Sequence, residues 1–218
     1  MARKRVAILI SGRGSNMVAL IDAARDKDFP AEIALVVSNE PTAQGLDRAS
    51  ASGIATAVVD HRTHGKDRGG FERALQAAIE SHTIDLICLA GFMRLLTPWF
   101  VSQWQERMLN IHPALLPSFK GLDTHARALA AGAKQHGATV HFVVPEMDSG
   151  PIIAQEAVPV LPGDTEAALA ARVLAVEHRI YPLALRLVAE GRVRIGGGRC
   201  LIDGVAVPQS ALPVPDGR

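Results

Sequence analysis

The chain has 218 residues, 48% of them hydrophobic and 21% charged, and 23 Lys and Arg set against 22 Asp and Glu leave a formal charge of +1. A chain of this length can bury a substantial core without disulfides or metal, as one large domain or two small ones. The charge balance argues against a general nucleic-acid binder, and so few aromatics (six Phe, two Trp, one Tyr) offer no base-stacking platform. Any charged ligand is therefore expected to be held by local charges. Cys88 and Cys200 cannot form a disulfide framework, and Cys88, in the apolar run 84–90, reads as a small buried hydrophobe. After the basic start at Arg3, Lys4 and Arg5, the apolar run 6–10 is too short for a signal core or a membrane span. A cytoplasmic protein without a membrane partner is expected.

The first half alternates apolar runs with helical patterns. Strands are expected at 6–10, 33–37, 55–59 and 84–90, with helices at 17–24, 43–52 (ending at Gly53) and 71–81 between them. Runs apolar on both faces and separated by helices imply a parallel sheet covered on both sides, with ligands at the strands' C-terminal edge. Beyond residue 105 the rhythm changes. Strands are expected at 108–111, 139–144 and 152–160, the last near a sheet edge because of Pro159. Leu169, Val173, Val176, Ile180, Leu183 and Leu187 mark the longest helix, capped by Asp164 or Thr165, kinked at Pro182 and followed by Gly191. The expectation is a Rossmann-like α/β fold, mostly parallel with antiparallel additions in the C-terminal half. Residues 1–191 form a single domain in this reading, and 192–218 at most a hairpin and a tail.

Three stretches could carry chemistry. Ser11-Gly-Arg-Gly-Ser-Asn16 links the first strand to the first helix, where glycines admit a ligand close to the backbone and a helix N-terminus favours an anion. It lacks the third glycine of a dinucleotide fingerprint and the Gly-Lys-Ser/Thr of a Walker loop, so a phosphate is the natural guest, with an ordinary turn as the alternative. Asn110 and His112 lie two apart on a strand and so share a face. Asn can donate to a developing oxyanion and His can move a proton near neutral pH. Asp148-Ser-Gly150 is an ordinary turn unless the fold brings it to His112. His61 and His64 have metal-like spacing without a completing ligand, and read as part of a solvated loop. His141 reads as a hydrogen-bonded core residue. Arg94 could bind an anionic group or pair with an acid.

Together these stretches resemble the folate-dependent formyltransferases. Four blocks carry the resemblance in order: Ser11-Gly-Arg-Gly-Ser-Asn16, Leu89-Ala-Gly-Phe-Met-Arg94, Leu109-Asn-Ile-His-Pro-Ala-Leu-Leu-Pro117 and Met147-Asp-Ser-Gly150. It runs from Val6 to about Gly191, and lies nearest the members that formylate glycinamide ribonucleotide in purine synthesis. It implies transfer of the formyl group of 10-formyltetrahydrofolate, as co-substrate, to the ribonucleotide amine, with no metal. It further implies that Asn110, His112 and Asp148 are catalytic, Asp148 orienting His112 and favouring its cationic form. Gly14, Ser15 and Asn16 match the loop for the ribonucleotide phosphate, and Leu174, Ala175, Val176 and Glu177 the segment at the glycinamide end. Arg68 or Lys66, with Met93, Arg94, Leu95, Leu96 and Asn110, match folate-contacting positions, and Val144, Pro145, Glu146, Met147 and Asp148 the opposite wall. Asp123 stands where some relatives have His.

The resemblance implies small-molecule substrates, no nucleic acid, and a monomer or homodimer. Related readings are methionyl-tRNA formyltransferase, which usually carries a further RNA-binding domain, and formyltetrahydrofolate hydrolase, which usually carries a regulatory one. From another class comes a non-catalytic phosphate-binding α/β module. It would use residues 11–16 and leave Asn110, His112 and Asp148 without a role.

Overall fold

The computed structural model describes residues 2–207; the end of the expected tail, 208–218, lies outside them. In spatial order, strands 55–58, 31–38, 4–10, 86–89, 108–112, 135–142 and 152–159 form a mostly parallel sheet, and 205–206, 199–202 and 193–196 a small antiparallel one. Cα packing divides the chain into two compact units. Of the described residues, one unit holds 2–110 together with Val143–Pro145, and the other holds Ile111–Phe142 and 146–207.

The first unit contains β1 (Lys4–Ile10), α1 (Ser15–Ala24), β2 (Ala31–Ser38), α2 (Gln44–Ala51), β3 (Ala55–Val58), α3 (Arg68–Glu80), β4 (Leu86–Leu89), α4 (Pro98–Gln103) and the start of β5 (Met108–His112). β1 pairs in parallel with β2 and with β4, and Val6 to Ile10 are fully buried, as an uninterrupted apolar run requires. Phe71, Leu75 and Ile79, one face of α3, pack against Leu35 and Val37 of β2, Ile87 and Leu89 of β4, and Phe100 and Trp104. Each such side chain contributes about 1.5–3 kcal/mol by leaving water. α3 starts three residues before Phe71 because the Asp67 carboxylate accepts the Gly70 N–H at 2.8 Å. α1 likewise starts at Ser15, two residues before the expected Met17. α4 has no apolar periodicity long enough to read in sequence. Pro98 opens it, Phe100 and Val101 fill the core, and the buried Glu72 carboxylate accepts the Thr97 N–H at 2.6 Å.

The second unit contains the end of β5, α5 (Thr124–Ala130), β6 (Gln135–Phe142), β7 (Ile152–Pro159), α6 (Glu166–Ala189) and the strands β8 (Val193–Gly196), β9 (Arg199–Ile202) and β10 (Val205–Ala206). β6 begins at Gln135, four residues before the expected start, because His136 and Gly137 hide a buried strand behind a polar and a side-chain-free position. A Cβ on Gly137 would come within 2.1 Å of the Glu156 carbonyl oxygen. β6 and β7 are antiparallel, and β7 ends the strand order, as Pro159 implied.

α6 packs on β6 and β7 and begins where the Thr165 hydroxyl accepts the Ala168 N–H. Asp164 instead accepts the Leu161 N–H and pairs with Arg172, whose bidentate hydrogen bonds hold its carboxyl down at about 2. The helix runs as one element through Pro182. Past that residue the buried stripe moves, leaving Leu183 half-buried while Ala184 and Leu185 are covered. The C-terminal sheet exceeds the expected hairpin: β8 and β9 join through Gly197 and Gly198, both at positive φ, and β10 adds a third strand.

Candidate active site

In the first unit, strand order reverses between β1 and β4, and the loops leaving these two strands meet. The Ser11 N–H donates to the Gly91 carbonyl at 3.1 Å, the Met93 N–H donates to Ser11 Oγ at 2.8 Å, and Ser11 Oγ donates to Asn39 Oδ1 at 2.5 Å. Gly14 caps α1 at φ 71°, and no side chain caps the helix, whose positive end suits an anion. A Cβ on Gly14 would stand 3.0 Å from Met17 Cε and 3.1 Å from Gly45 Cα, so both conformation and space demand glycine. Ser15 and Asn16 form the first turn, with Asn16 buried.

The expected folate segment of this unit is an apolar rim. Met93 and Leu95 are each 66% exposed, while Leu96 packs on the core. Arg68 Nη2 donates to the Leu95 carbonyl at 2.5 Å, which ties the first turn of α3 to that rim. Lys66 contributes only its carbonyl, accepting the Arg68 N–H, and Arg94 is exposed. Asn110 lies on β5 opposite Leu89 of β4, and Val144 and Pro145 belong to the same unit. His61 to His64, expected as a solvated loop, form a short 3-10 turn that is half-buried to exposed. Asp60 caps it, and the half-buried His61 ring meets Asn39 at 3.2 Å. Among the described residues no group of three or more His, Cys, Asp or Glu is arranged for a metal.

In the second unit, His112 and Asp148 are brought together. His112 Nδ1 lies 3.5 Å from Asp148 Oδ2, and both side chains are almost entirely buried. His112 Nε2 lies 3.0 Å from the Phe119 carbonyl; a carbonyl only accepts, so this nitrogen carries a hydrogen. Nδ1 is therefore the nitrogen that faces the carboxylate. Asp148 Oδ2 also accepts the Gly121 N–H at 2.8 Å, so one carboxylate oxygen serves both the imidazole and the turn beyond Phe119. Its Oδ1 faces His141 Nε2 at 3.8 Å, while His141 Nδ1 donates to the Phe142 carbonyl at 2.8 Å. Burial pushes the His141 pKa down, opposed by that carbonyl and by Asp148. Asp148 itself is left-handed, at φ 50°.

Asp148 borders a cavity of about 290 Å³ shared with Lys120, Ser149 and Arg199. Lys120 Nζ donates to Ser149 Oγ at 2.5 Å. Glu146 is exposed, as is Met147 at 49%. On α6, Val176 and Glu177 are buried, Leu174 is half-buried and Ala175 is exposed. A buried carboxylate such as Glu177 is uncommon without a specific role. Asp123 is the left-handed residue before α5, and its side chain does not cap that helix. The contributions that the sequence did not disclose are backbone groups, the Phe119 carbonyl and the Gly121 amide, together with the approach of His141 to Asp148.

A glycine-capped helix N-terminus at a switch point in one unit and a buried His–Asp pair in the other are features an α/β enzyme can use. Residues 4–185 match the formyl transferase family model, and the chain belongs to that family. It is 51% identical over 194 residues to the human trifunctional purine biosynthetic protein adenosine-3, covering 89% of this chain but spanning only 19% of that longer relative. It is 43% identical to the phosphoribosylglycinamide formyltransferase of Escherichia coli K12, over 93% of this chain and 95% of that one. Among solved structures, glycinamide ribonucleotide transformylase 1 from Symbiobacterium toebii superposes with a TM-score of 0.89 at 45% identity, covering 92% of this chain and 94% of that one.

Proposed function

We propose that the chain transfers the formyl group of 10-formyltetrahydrofolate to the amine of glycinamide ribonucleotide, a step of purine biosynthesis. The observation that carries this reading is the near end-to-end relationship to the E. coli phosphoribosylglycinamide formyltransferase. Residues 1–191 act as the catalytic domain in this reading, which the family match over 4–185 supports, with 192–218 as an appendage. Gly14, Ser15 and Asn16 receive the ribonucleotide phosphate at the α1 N-terminus, and Leu174, Ala175, Val176 and Glu177 meet the glycinamide end. Met93, Arg94, Leu95 and Leu96, with Arg68, take the folate along with Asn110, Val144, Pro145, Glu146, Met147 and Asp148. The apolar exposure of Met93, Leu95 and Met147 supports that assignment.

The amine attacks the formyl carbon to give a tetrahedral oxyanion, which collapses with loss of the folate nitrogen. An amine of pKa about 8 is roughly one-tenth neutral at pH 7, a handicap of about 1.4 kcal/mol. One well-placed oxyanion donor contributes about 2.7–4 kcal/mol, so stabilising the oxyanion outweighs generating the free amine. Asn110 and His112 stabilise the oxyanion. Asp148 orients His112 and helps relay the proton from the attacking amine to the departing nitrogen. No helix among the described residues is long and apolar enough to cross a membrane. A cytoplasmic enzyme working on small molecules, without nucleic acid or membrane, completes the reading; two free buried cysteines support it.

The test is to mix protein with 10-formyl folate and follow folate absorbance with and without glycinamide ribonucleotide. Deformylation only with the ribonucleotide is expected. Deformylation without it would point to a hydrolase, and none in either case to a binding module.

A further inference from the structure

His112 is held at Nε2 by the Phe119 carbonyl, so the ring sits where residues 113–119 allow it to sit. That segment lies between β5 and α5 and belongs to no helix or strand. Its backbone is fastened from beneath by two side chains that face each other across the β6–β7 ladder, Thr139 and Gln155. Thr139 is fully buried and its hydroxyl is used to capacity. It donates to the Ala114 carbonyl at 2.6 Å, and accepts the Leu116 N–H at 3.1 Å and Gln155 Nε2 at 2.8 Å. Gln155, also buried, gives its other Nε2 hydrogen to the Leu116 carbonyl at 2.9 Å. Both polar groups of Leu116 and the carbonyl of Ala114 are thus bound by two side chains.

A hydroxyl and a carboxamide are unexpected among Ala138, Val140, Ile153 and Ala154, where apolar residues would pack without desolvation cost. Gly137 brings the segment still closer, since a Cβ there would stand 2.7 Å from Leu115 Cδ2. Next to His112 the chain continues the same way: the Ala114 N–H donates to the His112 carbonyl at 2.9 Å.

We propose that Thr139 and Gln155 are positioning residues for catalysis. By fixing residues 114–116 they set the Phe119 carbonyl, and through it the orientation of the His112 ring. The proposal rests on His112 being catalytic. Misplacing a catalytic group by about 1 Å costs about 100-fold in rate, so loss of this support is expected mainly in kcat.

The experiment uses full-length Thr139→Val, which keeps the shape and loses the hydroxyl, Thr139→Ser, which keeps it, and Gln155→Met. Three readings are taken per folded molecule: kcat, KM for the ribonucleotide, and the ¹⁵N spectrum of the His112 ring. In Thr139→Val and Gln155→Met, kcat should fall about 10- to 100-fold with KM within about 2-fold. The spectrum should change from one sharp, hydrogen-bonded Nε2 signal to a broadened or doubled one, and Thr139→Ser should restore both the rate and the single signal. If Thr139→Val does not fold, Gln155→Met carries the same test, because it leaves both Thr139 bonds to the segment in place. Unchanged kcat with a single hydrogen-bonded Nε2 signal in the folded variants would overturn the proposal. His112→Ala separates the two claims: full turnover in that variant removes His112 from catalysis, whereas its loss beside silent Thr139 and Gln155 variants refutes only the positioning role.

Discussion

The loop at residues 11–16 and the cluster around His112 solve opposite problems. The loop sits at a switch point, is shaped by glycine, and offers the positive end of α1, so it suits a charged group arriving from water. The cluster is buried and made of side chains whose polar atoms are already engaged by Phe119, Gly121 and Phe142. A glycine-shaped helix N-terminus suits binding, whereas a rigid buried imidazole suits chemistry that tolerates little misplacement. Variants in the two regions should therefore separate along kinetic lines.

The largest effect is expected in the cluster. Asp148→Asn keeps the shape but loses the charge facing His112, and Asn110→Ala removes a donor. Each should lower kcat about 10²- to 10³-fold in steady-state formyl transfer, with little change in ribonucleotide KM. Equal losses in kcat and binding would dissolve the contrast. In the loop, Gly14→Val forces a branched side chain into φ 71° beside Met17 and Gly45. Ribonucleotide KM should rise about tenfold and kcat should hold.

The cluster's surroundings also carry a pH signature. His136 is buried, and burial first, then the charges of His125 and His112, hold its pKa down at about 4. The unfolded chain takes up that proton near 6.5 and the folded protein does not. Stability is therefore fully present above pH 6.5 and declines as pH falls towards about 4, which thermal melts by circular dichroism would record. His136→Gln should flatten part of the slope; His125, His141 and His178, lowered chiefly by burial, would keep the rest. The smallest effect separates two cations of the first unit. Arg68→Ala should raise folate KM about fivefold, the scale of one partly exposed charge-assisted hydrogen bond, and Lys66→Ala should leave it unchanged.

The same contrast explains what could be read from the chain alone. Residues 11–16 are contiguous, and their glycines and flanking apolar runs state their geometry locally. The His112–Asp148 pair was legible in part, because Asn110 and His112 share a strand and Asp148 completes a familiar pattern. Its supports were not. The Phe119 carbonyl and Gly121 amide are backbone groups without a residue signature, and Thr139 and Gln155 meet only through the register of β6 and β7. α4 and α5, of six and seven residues, are too short to show a helical period. The stripe of α6 was plain as far as Ile180, whereas the exchange of Leu183 for Ala184 and Leu185 follows from packing.

The most direct test of the central claim compares wild type with His112→Ala by two readings on each protein. Calorimetry gives ribonucleotide affinity, and single-turnover transfer from a ¹³C-formyl folate gives the chemical step. Affinity within about threefold and transfer slowed at least about 100-fold is the predicted result. Transfer by His112→Ala at a rate near that of wild type would contradict the account.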